Sequence, residues 1–310
     1  MPSGWRVTVA LITHPSCLEH RNAPWHPESP DRLEAVRVAL DGGPVRRGAA
    51  AWVEAPRAER EDVLRVHTAA HLAHLAALDR AGGGALDPDT FLGPGSLEAA
   101  WRAAGAAVHG AERALAGGGP AFCPVRPPGH HASPARAMGF CLLNNAAIAA
   151  QTAVDRLGAE RVLIVDWDVH HGNGTADAFR AAPLVRYVSL HQWPWYPGTG
   201  AEDDVGAGNL FHVPRGPGLP RERYVADLLA AVDRALTGFV PSLVVFSAGF
   251  DALAGDPLGG FTLEPDDYFH LTGAIRARAP GAAVISVLEG GYDPARVAEA
   301  ACRHVEALAS

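Results

Sequence analysis

The chain has 310 residues, 48% hydrophobic and 19% charged, which is enough apolar content for a sizeable core and excludes a disordered or fibrous protein. A formal net charge of −8 argues against direct nucleic-acid binding, which relies on Lys and Arg. No run is long enough to span a membrane, the N-terminus carries no export pattern, and Cys17, Cys123, Cys141 and Cys302 form no CxxC pair, so a cytoplasmic protein without disulfides or a zinc knuckle is expected.

In chain order, the apolar run RVTVALIT (6–13) predicts a strand. SPDRLEAVRVALDG predicts a helix, with Ser29 as N-cap, Pro30 at the first helical position and Arg37 on the polar side. A periodic helix is predicted over 61–80; His67, His71 and His74 lie on one side of it. They have no carboxylate or cysteine partner and read as packing and surface residues. Helix SLEAAWRAAGAAVHGAERALAGG, strand PAFCPV (120–125) and helix NNAAIAAQTAVDRLG follow. Next come strands RVLIVDWD (161–168) and LVRYVSLH (184–191), then helix RERYVADLLAAVDRALTGF. Strand SLVVFSAGFD (242–251), helix PDDYFHLTGAIRARA, strand AAVISVLEGG (282–291) and helix DPARVAEAACRHVEALA complete the pattern. Continuous apolar strands alternating with helices imply a parallel sheet covered on both faces. No linker divides the chain, so one domain over 1–310 is expected.

In open parallel sheets, sites form at the carboxyl ends of strands. The polar clusters fall there: His130 and His131, then Asp166 to His170, then Asp251, then Tyr292. Asp166, Asp168 and His170 alternate, which points them to one face of an extended chain, and Gly172 and Gly174 are expected to let the backbone turn sharply. Buried carboxylates need a cation or hydrogen-bond partners. Asp168, His170 and Asp251 form a three-ligand set that suits an open zinc site, which makes bound water more acidic and polarises a carbonyl. One of the adjacent histidines of RPPGHH (126–131) suits a general base and acid, with Asp166 and Asn173 as natural partners for the two rings. The phenol of Tyr292 suits an oxyanion donor. His171 is open between packing behind the site and a direct role. Trp193, Trp195 and Tyr196, in a Pro/Gly loop, suit the walls of an apolar tunnel.

These motifs, RPPGHH (126–131), GFCLLNNAAIAA (139–150), VDWDVHHGNGTADAF (165–179), SLHQWPWYPGTG (189–200), SAGFDALAGDPLGG (247–260) and LEGGYD (288–293), resemble the histone deacetylase superfamily, in particular its class II-like bacterial amidohydrolases. HPESPDR (26–32) resembles the first active-site loop of that family. The resemblance implies an α/β arginase/deacetylase fold, a parallel eight-stranded sheet with helices on both faces. It implies Zn2+ on Asp168, His170 and Asp251, His130 paired with Asp166, and His131 as principal general base and acid. Asn173 stands where class I members carry aspartate, and Tyr292 matches the transition-state tyrosine. Gly139 and Phe140 match the acyl-lysine tunnel wall and Asp89 the substrate-gripping rim. K+ is implied at Asp166, Asp168, His170, Ser189 and Leu190, and a second ion near Phe179 and Val185. Polyamine-specific members carry a glutamate where this chain has Leu258, which favours acyl-lysine. The implied activity is zinc-dependent removal of acyl, foremost acetyl, groups from amine nitrogen. The alternatives are an acetylpolyamine or small-molecule amide deacetylase and a non-catalytic acyl-amine sensor. An arginase-like ureohydrolase would need a second set of metal ligands, and only one complete set is present.

Overall fold

The structure, a computed structural model, describes residues 7–310; Arg6 of the first predicted strand lies outside them. The strands are β1 (Val9–Thr13), β2 (Ala50–Glu54), β3 (Gly84–Ala85), β4 (Phe91–Leu92), β5 (Ala121–Cys123), β6 (Val162–Asp166), β7 (Val185–Gln192), β8 (Leu210–Arg215), β9 (Leu243–Ala248) and β10 (Ala283–Leu288). Eight of them form one sheet in the order β2-β1-β5-β10-β9-β6-β7-β8, every pairing parallel. β3 and β4 make a separate small antiparallel pair. The helices are α1 (Pro30–Leu40), α2 (Arg60–Leu64), α3 (Ala69–Arg80), α4 (Ser96–Leu115), α5 (Asn145–Asp155), α6 (Asn173–Phe179), α7 (Arg221–Leu236), α8 (Pro265–Arg278) and α9 (Pro294–Ala309).

Alternate strand residues enter opposite cores, as the two-residue period of a strand requires. Leu11, Phe122, Val165, Phe246 and Leu288 share one core with α1, α7, α8 and α9. Ile12, Cys123, Ile164, Val245 and Val287 share the other with α4, α5 and α6. Alanines at 103, 106 and 107 of α4 and at 146, 147, 149 and 150 of α5 pack together there. Outside them, Val63, Leu72 and Leu75 of α2 and α3 pack on Trp101 and Ile148. Every residue of β6 and β9 is buried, which is why these strands read as unbroken apolar runs. No helix of the described residues is long and apolar enough to cross a membrane.

Several expectations are corrected. The strands β2 and β8 are edge strands that the apolar runs did not announce; β8 carries Pro214, which an edge tolerates. The helix expected over 61–80 is two, α2 and α3, with His67 between them. His67 Nε2 accepts the Asn144 N–H at 2.9 Å, and His71 Nε2 donates to the Leu142 carbonyl at 2.9 Å, so both brace the segment that follows Phe140. His74 is exposed. Ser29 precedes α1 as expected, with Pro30 first, but its side chain makes no capping bond.

His304 illustrates how a buried histidine with no carboxylate partner is kept neutral. The Thr272 hydroxyl donates to the Tyr268 carbonyl and so accepts from His304 Nδ1 at 2.6 Å, leaving Nε2 to Ser286 Oγ at 2.8 Å. Burial, then Arg276, pushes the pKa of His304 down to about 3. The unfolded chain takes up this proton near pH 6.5, so the contribution is whole above that pH and is lost as pH falls towards 3. Over pH 4–6, the stability of a His304→Gln variant, measured by urea unfolding, therefore varies less steeply than that of the parent, by about 1.4 kcal/mol per pH unit. Equal slopes would contradict the assignment.

Candidate active site

The carboxyl ends of β5, β10, β9 and β6 lie side by side at the centre of the sheet, and the loops leaving them carry the reactive groups. β6 ends at Asp166; Asp168 and His170 follow in irregular chain, and Asp251 follows β9. One ligand atom from each of Asp168, His170 and Asp251 lies within 4.8 Å of the other two, and all three residues are buried. His170 Nδ1 is 3.0 Å from Asp168 Oδ1 and 3.3 Å from Asp251 Oδ2.

Backbone amides fix the other carboxylate oxygens. Val169 N–H donates to Asp251 Oδ1 at 2.7 Å, and Gly290 N–H donates to Asp168 Oδ2 at 2.8 Å. Asp251 Oδ2 is buried and makes no hydrogen bond. A Cβ on Gly290 would fall 2.1 Å from that oxygen and 2.6 Å from Asp168 Oδ2, so no side chain fits there. A divalent cation fits this site: two carboxylates and a ring nitrogen converge, and one buried carboxylate oxygen has no hydrogen bond. Among the described residues no other such cluster of metal-ligating groups is found.

Behind the cluster, His130 Nδ1 donates to Asp166 Oδ2 at 3.1 Å, and the Tyr187 hydroxyl donates to the same oxygen at 2.8 Å. His131 Nδ1 donates to Asn173 Oδ1 at 2.8 Å, which leaves the lone pair of neutral His131 on Nε2. The two rings are 4.1 Å apart yet differ in basicity. Burial opposes the charge on His130, but Asp168 and Asp166 outweigh it and push its pKa up to about 10. Burial, then His130 and His170, holds His131 well below its ordinary value. Such a divided pair separates a resident proton from a free base.

A cavity of about 200 Å³ leads to these groups, lined by His131, His170 and Tyr292 together with Asp89, Gly139, Phe140, Trp195, Tyr196 and Leu258. Phe140 meets Tyr292 edge-on at 5.9 Å, and Tyr196 meets His131 edge-on at 5.1 Å. The hydroxyl of Tyr292 forms no hydrogen bond among the described residues. Trp195 Nε1 donates to the Leu258 carbonyl at 2.9 Å, tying two loops across the mouth. Trp193 does not line the cavity.

His171 also lies off the cavity: Nδ1 meets Thr199 Oγ1 at 2.8 Å and Nε2 meets His212 Nε2 at 3.1 Å, which makes it a packing residue behind the site. The chain turns sharply at Gly172, as expected: the Asn173 N–H donates to the His171 carbonyl at 2.8 Å and closes an inverse γ-turn, whereas Gly174 is helical. Gly172 has φ −74°; a Cβ on Gly172 would strike the Tyr187 hydroxyl at 2.4 Å and one on Gly174 the Ala132 carbonyl at 2.3 Å, so close packing is what requires glycine. Ser189 pairs with Asp166 across β6 and β7, and Leu190 follows it. At the second expected ion position the carbonyls of Phe179, Ala182 and Val185 converge, and all three lie within 2.7–3.1 Å of Asn209 Nδ2.

Sequence reasoning missed a buried ionic frame. Arg126 donates through Nε to Glu28 Oε1 and through Nη2 to Oε2 at 2.7 Å. Arg32 donates to Glu28 Oε1 at 3.0 Å, to the Glu289 carbonyl at 2.6 Å and to the Gly291 carbonyl. Its guanidinium sits 4.8 Å from the Tyr292 ring centre. HPESPDR supplies Glu28 and Arg32, and RPPGHH supplies Arg126; no local spacing links the two motifs. Glu28→Ala strands two buried guanidinium groups, and urea unfolding is expected to show a loss of about 3–5 kcal/mol. A loss below about 1 kcal/mol would contradict the frame.

A family model described as Histone deacetylase domain matches residues 26–308. The chain is 41% identical to the histone deacetylase-like amidohydrolase of Pseudomonas aeruginosa, over 88% of this chain and 74% of that one. It is 38% identical to a probable deacetylase of Methanothermobacter thermautotrophicus, over 92% and 86%. The crystal structure of the HDA15 HD domain matches with a TM-score of 0.92 at 36% identity, covering 97% of this chain and 90% of that one. The sheet order and its flanking helices accordingly have the arginase/deacetylase fold. The chain belongs to the histone deacetylase family, as a hydrolase of the deacetylase and amidohydrolase type.

Proposed function

We propose that the chain is a cytoplasmic, zinc-dependent deacylase that cleaves the amide between an acyl group, foremost acetyl, and an amine nitrogen, with acyl-lysine as substrate. The supporting observation is that the carboxylate–histidine set, His131 and Tyr292 meet at one narrow, largely apolar cavity. Asp168, His170 and Asp251 would hold Zn2+. Bound there, the ion supplies Lewis acidity to an amide carbonyl and to a water.

The chain's own residues do the rest. Phe140, Gly139, Tyr196 and Leu258 wall an unbranched alkyl stem, and Asp89 holds the substrate at the rim. Nε2 of His131 takes a proton from the attacking water and returns it to the departing amine. Tyr292 donates a hydrogen bond to the carbonyl oxygen as negative charge develops. His130 keeps its proton against Asp166 and places positive charge beside the reacting centre, and Asn173 holds His131 in the basic tautomer. Asp166, Asp168, His170, Ser189 and Leu190 would hold K+, offsetting buried carboxylate charge.

Leu258 leaves that side of the mouth neutral, which favours acyl-lysine. A small cationic acylated amine is the second reading, favoured by Asp87 and Asp89, which form no ion pair among the described residues. Turnover of an acetyl-lysine peptide and of N-acetylputrescine by the zinc-loaded chain tests the choice. A higher kcat/KM on the peptide is expected; the reverse order supports the polyamine reading. Binding without turnover for every acyl length would leave a sensor.

A further inference from the structure

We propose that Glu289 is the positioning residue that fixes the backbone of the His130–His131 pair; its kinetic consequence rests on the deacylase reading. Glu289 Oε2 accepts the Gly129 N–H at 2.6 Å and the His130 N–H at 3.1 Å. Its Oε1 accepts the Ser247 hydroxyl at 3.1 Å. The residue is fully buried and forms no ion pair among the described residues. A buried carboxylate is costly, and charge-assisted bonds from N–H groups, with the charge on His130, offset that cost.

The geometry makes Glu289 the joint of three segments. Its own N–H donates to the Ala248 carbonyl at 3.0 Å, and its carbonyl accepts Arg32 at 2.6 Å. Through its side chain it holds the loop after β5, and through its main chain it holds the segment that carries Tyr292. The rings of His130 and His131 make one side-chain hydrogen bond each, to Asp166 and Asn173, and His130 Nε2 also faces Asp168 Oδ1 at 3.8 Å. A ring tethered at one nitrogen points its other nitrogen correctly only if the backbone beneath it is fixed. Displacement of about 1 Å at a reacting group costs on the order of a hundredfold in rate. Glu289 lines no part of the substrate cavity, so its loss falls on kcat and not on KM.

The test compares Glu289→Leu with Glu289→Gln in the zinc-loaded chain, reading steady-state kinetics and hydrogen exchange of the 127–131 amides. Glu289→Leu is expected to lower kcat about 10–100-fold, with KM little changed and faster exchange at Gly129 and His130. Glu289→Gln keeps a carbonyl that accepts both N–H groups, retains most of kcat and keeps the protection. Unchanged exchange in the Leu variant, unchanged kcat, or a loss confined to KM would overturn the proposal. Exchange needs no substrate, so a parent chain that turns over nothing overturns the deacylase reading and leaves this one standing on its own readout. If Glu289→Leu does not fold, Ser247→Ala removes the third bond. It is expected to lower kcat about two- to tenfold, with faster exchange at Gly129; parental kcat and exchange there would overturn the proposal.

Discussion

In the Asp251→Asn variant, bound zinc and turnover are expected to fall together. The substitution is nearly isosteric. Its amide oxygen still accepts the Val169 N–H, so the loop after β9 stays in place. What changes is Oδ2, the buried oxygen without a hydrogen bond, which becomes an amide nitrogen 3.3 Å from a histidine nitrogen. An amide nitrogen has no lone pair to offer a cation, and the set drops to one carboxylate and one ring. Lewis-acid stabilisation is worth several kcal/mol, so kcat/KM is expected to fall by about three powers of ten at 1.36 kcal/mol per decade. Metal content of the dialysed protein and kcat/KM on an acetylated peptide are read together. Parental metal content and turnover in the variant would show that Asp251 is not a ligand.

His131→Ala separates acid–base chemistry from metal binding. His131 is not in the ligand cluster, so the variant is expected to keep its zinc. It loses a cavity-lining ring whose Nε2 is left free by the bond to Asn173 and whose basicity is held down by burial and by the neighbouring rings of His130 and His170. General acid–base catalysis contributes about 10²–10⁴-fold, and kcat is expected to fall by that factor with KM little changed. In the parent, the low pKa keeps His131 unprotonated at neutral pH, so the acid limb of kcat/KM lies below pH 6.5. A variant with normal kcat, or a loss traced to missing zinc, would remove His131 from its role.

Much of this site was legible because it is built at strand ends. Val162–Val165 is apolar and buried, so the sudden Asp166, Asp168 and His170 stand out against it. The same contrast exposes Asp251 after β9 and Tyr292 after β10. Side chains contributed by separate strands converge because parallel strands put their carboxyl ends on one side of the sheet. Contacts between distant segments left no such mark. Glu28 meets Arg126 across 98 positions, and Glu289 meets Gly129 across 160. Neither pair has a periodicity or spacing to betray it. Strand β8 escaped because edge strands need less apolar character and accept proline, and α6 because seven residues that open Asn-Gly show little helical pattern. The sharp turn read at the glycines is there at Gly172, but in dihedrals open to other residues, and what requires glycine at 172 and 174 is close packing.

The most direct measurement is anomalous scattering at the zinc edge from crystals of the zinc-loaded chain, paired with acetate release by the same preparation. One peak bounded by Asp168, His170 and Asp251, in protein that releases acetate from an acetylated amine, is the expected result. Acetate release from protein whose scattering shows no ion among those three side chains would contradict the account.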